Sequence, residues 1–191
     1  MSPRARIAQE AILQATLALI AEHGLEGLSV DTIAETTGVS KATLYRYWRS
    51  RAELIYAAFE QLQHPTIEPD TGSIRDDLIR LVKQLVGYLN RRDRGAIFTA
   101  LIDAAARDPE LATLHKQNEL QGRALFERAL GRAIDRGELA ADIDIRLFVD
   151  LVMSPFIYRR VVVQTPARTI DIEPIVDLVL AAFDRTGAVA D

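Results

Sequence analysis

Apolar residues recur every three or four positions along most of this chain, with polar residues between them, as amphipathic helices require. The first predicted helix runs from about Ala5 to His23, and Gly24 ends it because glycine accepts a left-handed backbone. Its buried face is formed by Ile12, Thr16, Leu19 and Ile20. The spacing therefore predicts a long helix that packs along one side.

Cap residues, prolines and glycines divide the second half of the chain into further helices. Gly137 ends a long one, and Pro155 lies inside another, where it removes a backbone hydrogen bond and should kink the helix. The predicted segments are Ser73 to about Asn90, Ile97 to Ala105, Pro109 to about Arg136, Asp144 to Val163 and Pro174 to about Arg185. Together with the N-terminal segments, they predict an all-α fold of about nine helices.

Two short helices between these regions are predicted to meet at Gly38. Ser29 can cap the first helix and Ser40 the second, because a serine hydroxyl accepts a free backbone N–H. Leu44 and Trp48 lie four residues apart and face inward together. This pattern predicts a helix-turn-helix, although a glycine between two helices is also typical of an ordinary corner in a helical bundle.

The opposite face of the second short helix favours the helix-turn-helix interpretation over a plain corner. Between Val39 and Ala52 there are four basic residues and no acidic one. The basic residues are Lys41, Arg46, Arg49 and Arg51. A helix that presents small, hydroxyl and basic groups can enter the major groove of DNA, while neighbouring cations hold phosphates.

Residues from about Ile12 to about Phe59 resemble the DNA-binding domain of the TetR family of transcriptional regulators. The resemblance rests on Ile12-Leu13, Ala15, Leu19-Ile20, Gly24, Ser29-Val30, Ile33-Ala34, Gly38-Val39-Ser40, Thr43-Leu44-Tyr45, Trp48 and Glu53-Leu54. It implies a three-helix helix-turn-helix DNA-binding domain over residues 1–64, then a helical ligand-binding and dimerisation domain over residues 65–191. The implied function is a homodimeric repressor that a small-molecule ligand releases from a near-palindromic double-stranded operator.

The resemblance also implies which residues contact DNA. The expected phosphate contacts are Ser29, Thr32, Thr43, Tyr45, Tyr47 and Arg51. The base-reading positions are Lys41, Ala42 and Arg46, of which Lys41 can donate to guanine and Ala42 can touch a thymine methyl group. Asp31 departs from the basic residues often found at its position, so we expect a weaker phosphate contact there.

The C-terminal helices of the family enclose a ligand pocket and form the homodimer. The residues expected to line the pocket are Tyr88, Phe98, Leu101, Asn118, Gln121, Phe126, Met153, Phe156 and Tyr158. Each aromatic residue in this set can equally be ordinary core. The dimer is expected to form from the last two helices, because the segment Ile143–Val163 is apolar on more than one face and needs cover on several sides. The expected interface residues are Phe148, Val152, Ile175, Leu178, Val179, Ala182 and Phe183.

Composition narrows the function further. The 191 residues carry a formal net charge of −4, so any DNA binding must come from a local basic surface. There is no cysteine, which excludes disulfides and cysteine-ligated metal centres. No apolar run approaches the length of a membrane span, and the start of the chain does not read as a signal peptide, so a cytoplasmic protein without a membrane partner is expected.

Two other classes of function are alternatives to a DNA-binding regulator. The first is a helical protein-interaction module that has lost DNA binding. The second is an all-α enzyme or metal-binding protein, for which His115 and Glu119, four residues apart, could supply two ligands. No catalytic motif accompanies them, and an ordinary polar pair is the simpler interpretation. We therefore expect no enzymatic activity, metal or cofactor.

Overall fold

A computed structural model of the chain describes residues 3–26, 28–61 and 67–184. Within these ranges the protein contains nine α-helices, one short 3-10 helix and no strand, which confirms the all-α prediction. The helices are α1 (Pro3–His23), α2 (Val30–Thr37), α3 (Lys41–Tyr47), α4 (Arg51–Glu60), α5 (Ile74–Asn90), α6 (Arg92–Ala105), α7 (Pro109–Asp135), α8 (Ile145–Val161) and α9 (Ile172–Phe183).

Side-chain caps begin five of these helices, including the predicted caps at Ser29 and Ser40. In each case a side-chain oxygen accepts the backbone N–H three residues further on, which satisfies one of the donors left free in the first turn. The capping residues are Ser29, Ser40, Ser50, Ser73 and Asp144. At α4 the cap is reinforced because the Glu53 carboxylate accepts the backbone N–H of Arg49 at 2.7 Å.

Several helix ends differ from the prediction. The largest difference is at α6, which begins at Arg92 and not at the predicted Ile97. The last helix begins at Ile172, after a 3-10 turn over Thr169–Asp171, so Pro174 is its third residue and not its first. Proline is tolerated there because the first-turn amides have no partner within the helix. The long helix α7 ends at Asp135, one residue before the predicted Arg136.

The chain forms two compact units. Unit 1 contains Met1–Pro65 and Arg92–Gln117, and unit 2 contains Thr66–Arg91 and Asn118–Asp191. This differs from the predicted division into residues 1–64 and 65–191, because residues 92–117 return to the first unit. The predicted boundary itself lies outside the described residues.

Unit 1 is built around α1. This helix packs against α2, α4 and α6, and α2 packs against α3. The predicted inner face of α1 is buried, including Thr16, whose hydroxyl donates to the Ile12 carbonyl at 2.8 Å. The fully buried large side chains of this unit are Ile12, Ile33, Leu44, Leu54, Ile55, Phe59 and Ile97. The two short helices are thus anchored on one continuous apolar core.

Unit 2 packs α5 against α8 and α9. Its fully buried large side chains are Leu78, Leu81, Leu89, Phe148 and Phe156. The extended segment before α5 is held by one acceptor side chain and one donor side chain. Asp77, which is buried, accepts the Thr71 amide at 2.8 Å and its hydroxyl at 2.7 Å. Arg132 of α7 donates to the Pro69 carbonyl at 2.7 Å.

Candidate nucleic-acid interface

The turn between α2 and α3 depends on Gly38. Its φ of 67° lies in the left-handed region, where a side chain would be strained. The next amide, of Val39, donates back to the Ala34 carbonyl at 3.2 Å and closes the end of α2. The chain therefore leaves α2 at a sharp angle and enters α3 after a turn of three residues.

Buried side chains fix the orientation of α3. Leu44 and Trp48 are almost completely buried, as the sequence predicted, and Ile33 holds α2 against the same core. The Trp48 amide donates to the Leu44 carbonyl at 2.9 Å at the end of the helix. Because one face of α3 is fixed inward, the residues of its other face must point to solvent.

That outward face contains the predicted base-reading residues. Lys41, Ala42 and Arg46 are exposed, and half of the Tyr45 surface is accessible. Thr43 and Tyr47 are partly buried at its border. Small, hydroxyl, aromatic and cationic side chains thus form one surface patch around α3, which we call the α3 face.

Paired hydroxyls lie at the start of both short helices. The Ser29 hydroxyl accepts the Thr32 amide at 3.0 Å and lies 2.8 Å from the Thr32 hydroxyl. Ser40 and Thr43 repeat the arrangement at 3.2 and 2.9 Å. All four residues are at least partly accessible, so their hydroxyls can shape the helix starts and still meet a phosphate.

Arg46 is ordered by its neighbour. Its guanidinium carbon lies 4.9 Å from the centre of the Tyr47 ring, and its Nη2 donates to the Tyr47 hydroxyl at 3.2 Å. The Tyr47 ring in turn meets the buried Trp48 ring edge-on, with 5.6 Å between centres. The cation is therefore held over an aromatic ring that is itself positioned by the core.

Lys41 contacts an acidic partner that the sequence did not predict. Its ammonium forms an ion pair with the carboxylate of Asp31 in the first turn of α2. The sequence places these residues ten positions apart in different helices, so no local pattern could have indicated the contact. The pair adds an acceptor to a surface that otherwise presents cations and hydroxyls.

The structure gives Arg51 a different role from the predicted phosphate contact. Its Nε donates to the Leu28 carbonyl at 2.6 Å, and its Nη2 donates to the Leu25 carbonyl at 2.5 Å. Its Nη1 lies 3.7 Å from the Asp108 carboxylate. Because its donors face the protein, we leave Arg51 out of the proposed DNA-contact set.

Further contacts tie the α6–α7 turn to the helix-turn-helix region within unit 1. Arg107 pairs with Glu26 at 2.9 Å, and the Ser50 hydroxyl donates to the Glu110 carboxylate. The Tyr56 hydroxyl donates to the Leu111 carbonyl at 3.3 Å, and burial raises the pKa of Tyr56. The start of α4 is thus connected to both sides of this turn.

The predicted pocket residues lie in different environments. Leu101, Phe126 and Phe156 are buried. Gln121 is exposed, and 57% of the Tyr158 surface is accessible. The half-buried residues are Tyr88, Phe98, Asn118 and Met153. The pocket remains a prediction; a cleft of about 370 Å³ in unit 1 has a different lining, formed by Arg6, Gln9, Glu10, Leu13, Trp48 and Gln61.

The predicted dimer residues also separate into two groups. Phe148 and Val152 are completely inaccessible, and Val179 is nearly so, because they form the core of unit 2. Phe183 is half-buried and its ring packs 4.8 Å from Phe148, while Ile175 is half-buried. Buried side chains add no contact area to a second subunit, so we correct the expected surface to the outward residues. These are Leu147, Leu151, Tyr158, Val162, Leu178 and Ala182.

Residues 3–26, 28–61 and 67–184 contain no cluster of three or more His, Asp or Glu side chains that could hold a metal ion. None of the described helices is long and apolar enough to cross a membrane.

Family models match both parts of the chain. Residues 12–58 match the model for bacterial regulatory proteins of the tetR family, and residues 68–179 match the tetracyclin repressor-like C-terminal domain. The helix-turn-helix-type regulator YdeS of Bacillus subtilis is 35% identical over 82% of this chain and 80% of its own. The DNA-binding transcriptional repressor TetR of Mycobacteroides abscessus is 30% identical over 98% of this chain and 100% of its own.

Solved structures agree with these matches. The TetR family transcription regulator SCO0332 is 30% identical, covers 91% of this chain and 97% of its own, and has a TM-score of 0.69. The regulator FadR from Bacillus subtilis, solved with stearoyl-CoA, shares the fold at 18% identity, with a TM-score of 0.69 over 90% of this chain and 97% of its own. The chain belongs to the TetR family of helix-turn-helix transcriptional regulators, which are not enzymes.

Proposed function

We propose that this regulator is a homodimeric repressor that binds a near-palindromic DNA operator and leaves it when a small molecule binds. The α3 face carries this proposal, because buried Leu44 and Trp48 hold Lys41, Ala42 and Arg46 outward on a short helix. A helix of this kind fits the major groove. The repressor named among the relatives supports the direction of regulation. Since the proposed target is chromosomal DNA, we place the protein in the cytoplasm.

The contact set combines base and phosphate recognition. Lys41 and Ala42 are positioned for base edges, together with Arg46. The phosphate contacts come from the hydroxyls of Ser29, Thr32 and Thr43 at the helix starts, from exposed Tyr45 and from partly buried Tyr47. The formal net charge of −4 makes this local surface necessary, because the molecule as a whole does not attract a polyanion.

A row of exposed apolar residues on α8 supports the dimer. Leu147, Leu151, Tyr158 and Val162 recur at helical spacing, and 43–63% of each surface is accessible. On α9, Leu178 is 71% exposed. Exposed apolar residues of this kind favour packing against a second copy of the same helices in a two-fold arrangement. Such a dimer presents two α3 faces to two half-sites.

Ligand release is supported by the contacts at the α6–α7 turn. Arg107, Glu110 and Leu111 connect this turn to the helix-turn-helix region, so a shift of the turn would move the start of α4. A ligand can favour such a shift only by binding one conformation more tightly than the other. The FadR structure with stearoyl-CoA illustrates that this fold can hold a small molecule, and the ligand of the present chain remains to be identified.

Selection from a pool of random-sequence duplexes tests the proposal. The full-length protein should enrich one motif with two-fold symmetry, with half-sites separated by about one helical turn or a multiple of it. Fluorescence anisotropy on the enriched duplex, repeated across a small-molecule library, should then find compounds that release it. Failure to enrich any motif would favour the alternative of a protein-interaction module without DNA binding, and an asymmetric motif would exclude the palindromic operator.

A further inference from the structure

An ion pair joins the first turn of α2 to the first residue of α3. The Asp31 carboxylate and the Lys41 ammonium are in direct contact, and the side chains remain 57% and 58% exposed. Lys41 belongs to the α3 face with Ala42 and Arg46, so the pair lies on the surface proposed to meet DNA. The contact therefore places a hydrogen-bond donor and an acceptor side by side at that surface.

Stability does not account for this pair. Exposed ion pairs add little to folding, because water screens the charges and a long lysine side chain loses freedom when it is held. The start of α2 is already capped by Ser29. A carboxylate on a DNA-facing surface also repels phosphates, which weakens binding that depends on charge alone. The position of Asp31 is better explained by a contact with a base.

The pair matches the major-groove edge of one G·C base pair. Guanine presents two acceptors there, N7 and O6, and its cytosine presents the N4 amino donor beside them. O6 and N4 are hydrogen-bonded to each other, so their separation is that of a contacting donor and acceptor. On the basis of the DNA-binding function proposed above, we infer that Lys41 donates to guanine while Asp31 accepts from the cytosine of the same pair.

An A·T pair fits the same two side chains less well. Adenine N7 is followed by the N6 amino donor, and thymine then presents O4 and its methyl group. With the two side chains in the same position, Lys41 would face the adenine N6 donor in place of guanine O6, and Asp31 would face the thymine O4 acceptor in place of cytosine N4. In the reversed T·A pair, the thymine methyl group takes the place of guanine N7. Asp31 is therefore a specificity-determining residue: it adds the acceptor that reads cytosine and lowers the affinity for DNA of unrelated sequence.

The test compares base preferences of the full-length wild type, Asp31→Ala, Lys41→Ala and Glu35→Ala, each selected against the same random-sequence duplex pool. Lys41→Ala identifies the operator position that Lys41 reads. Glu35 is an exposed acidic residue one turn further along α2, so Glu35→Ala removes the same charge without removing the Lys41 partner. Affinities for the enriched duplex, for its G·C to A·T variant and for an unrelated duplex are measured by anisotropy at one salt concentration.

We expect the wild type to enrich a motif with a G·C pair at the position where Lys41→Ala loses its preference. Asp31→Ala should reduce the discrimination between G·C and A·T at that position by roughly tenfold, the effect of one good base contact. Glu35→Ala should leave the preference unchanged.

Two results overturn the inference while leaving the proposed function intact. In the first, Asp31→Ala strengthens binding to all duplexes as Glu35→Ala does and keeps every base preference, so that Asp31 acts only as a charge. In the second, the position read by Lys41 is not a G·C pair. If the wild type enriches no motif, the inference falls together with the proposed function.

Discussion

The guanidinium of Arg51 fastens the loop between α1 and α2 to the start of α4. It donates hydrogen bonds to the carbonyls of Leu25 and Leu28, and it lies near the Asp108 carboxylate. Only about a third of the Arg51 side chain is exposed. A cation in this position stabilises the helix-turn-helix region, and we expect it to contribute to DNA affinity only indirectly.

Replacing Arg51 by alanine should therefore lower stability more than it lowers DNA binding. We expect a loss of roughly 1–3 kcal/mol in the free energy of unfolding, because charged hydrogen bonds to partly buried carbonyls are removed. Urea denaturation followed by circular dichroism measures this loss. Arg49→Ala is the matched control: it removes the same charge from an exposed neighbour and should change stability by less than about 0.5 kcal/mol.

The salt dependence of DNA binding separates the two roles of Arg51. A phosphate contact would reduce the slope of log affinity against log salt by about one for Arg51→Ala. An unchanged slope with lower stability is the expected result. Equal stability of the two alanine variants, with a reduced slope for Arg51→Ala, would restore the phosphate role.

At the scale of elements, a row of arginines on α7 holds the segment that leads into α5. Arg128 and Arg132 are four residues apart and reach the same carboxylate of Glu68, at 2.8 and 2.5 Å. One turn further, Arg136 pairs with Glu138, which accepts the first amide of α5 at 2.8 Å. The extended segment is thus attached by charges because it has few apolar residues to bury.

This attachment predicts a loss of stability in acid. Hydrogen bonds from Arg128 and Arg132 lower the pKa of Glu68 from 4.5 to about 2. A carboxylate with a lowered folded-state pKa stabilises the fold fully above its unfolded pKa, and the contribution is lost as pH falls from 4.5 towards 2. The difference in unfolding free energy between wild type and Glu68→Gln should therefore be constant above about pH 5.5 and shrink below it.

Urea denaturation at a series of pH values measures this difference. Asp70→Asn is the control, because Asp70 is more exposed and its contacts to Arg132 and Arg136 are longer, at 3.6 and 3.8 Å. We therefore expect the difference in unfolding free energy between wild type and Asp70→Asn to change less with pH. If the difference in unfolding free energy between wild type and Glu68→Gln stays constant at acidic pH, the ionised Glu68 carboxylate does not stabilise the attachment of this segment to the arginines.

At the scale of the whole molecule, the exposed apolar surface of α8 and α9 determines the expected assembly. Leu178→Glu adds a charge where a second subunit is proposed to pack, so we expect a folded monomer with strongly reduced operator affinity. Light scattering after size exclusion measures the mass. Ile67→Glu is the control, because Ile67 is as exposed as Leu178 but lies before α5, and this variant should remain dimeric. A dimeric Leu178→Glu would remove α9 from the interface.

The sequence predicted features that depend on residues a few positions apart. The caps at Ser29 and Ser40 and the turn at Gly38 are of this kind, because a helix start or end is decided within one turn. These local features were sufficient to predict the all-α fold and the outward face of α3. The four-residue spacing of Leu44 and Trp48 also predicted correctly that Leu44 is buried.

Features that depend on packing could not be predicted in this way. The partners of Arg51 lie 23 and 26 residues earlier, and only the folded core brings them together. In α8, apolar residues occupy most sides of the helix, so the sequence could not distinguish buried Phe148 from exposed Leu147. The dimer interface therefore stays a prediction, and part of the residue set predicted for it lies on the buried faces of α8 and α9.

The stacking of Arg46 on Tyr47 limits the substitutions that this surface can accept. A guanidinium that already rests on a ring has less motion to lose when it meets a duplex. Lysine would keep the charge but not the flat shape that the ring supports, so it is a poor substitute there. Positions 46 and 47 should accordingly vary as a unit among descendants of this protein, with the aromatic residue retained wherever the arginine is.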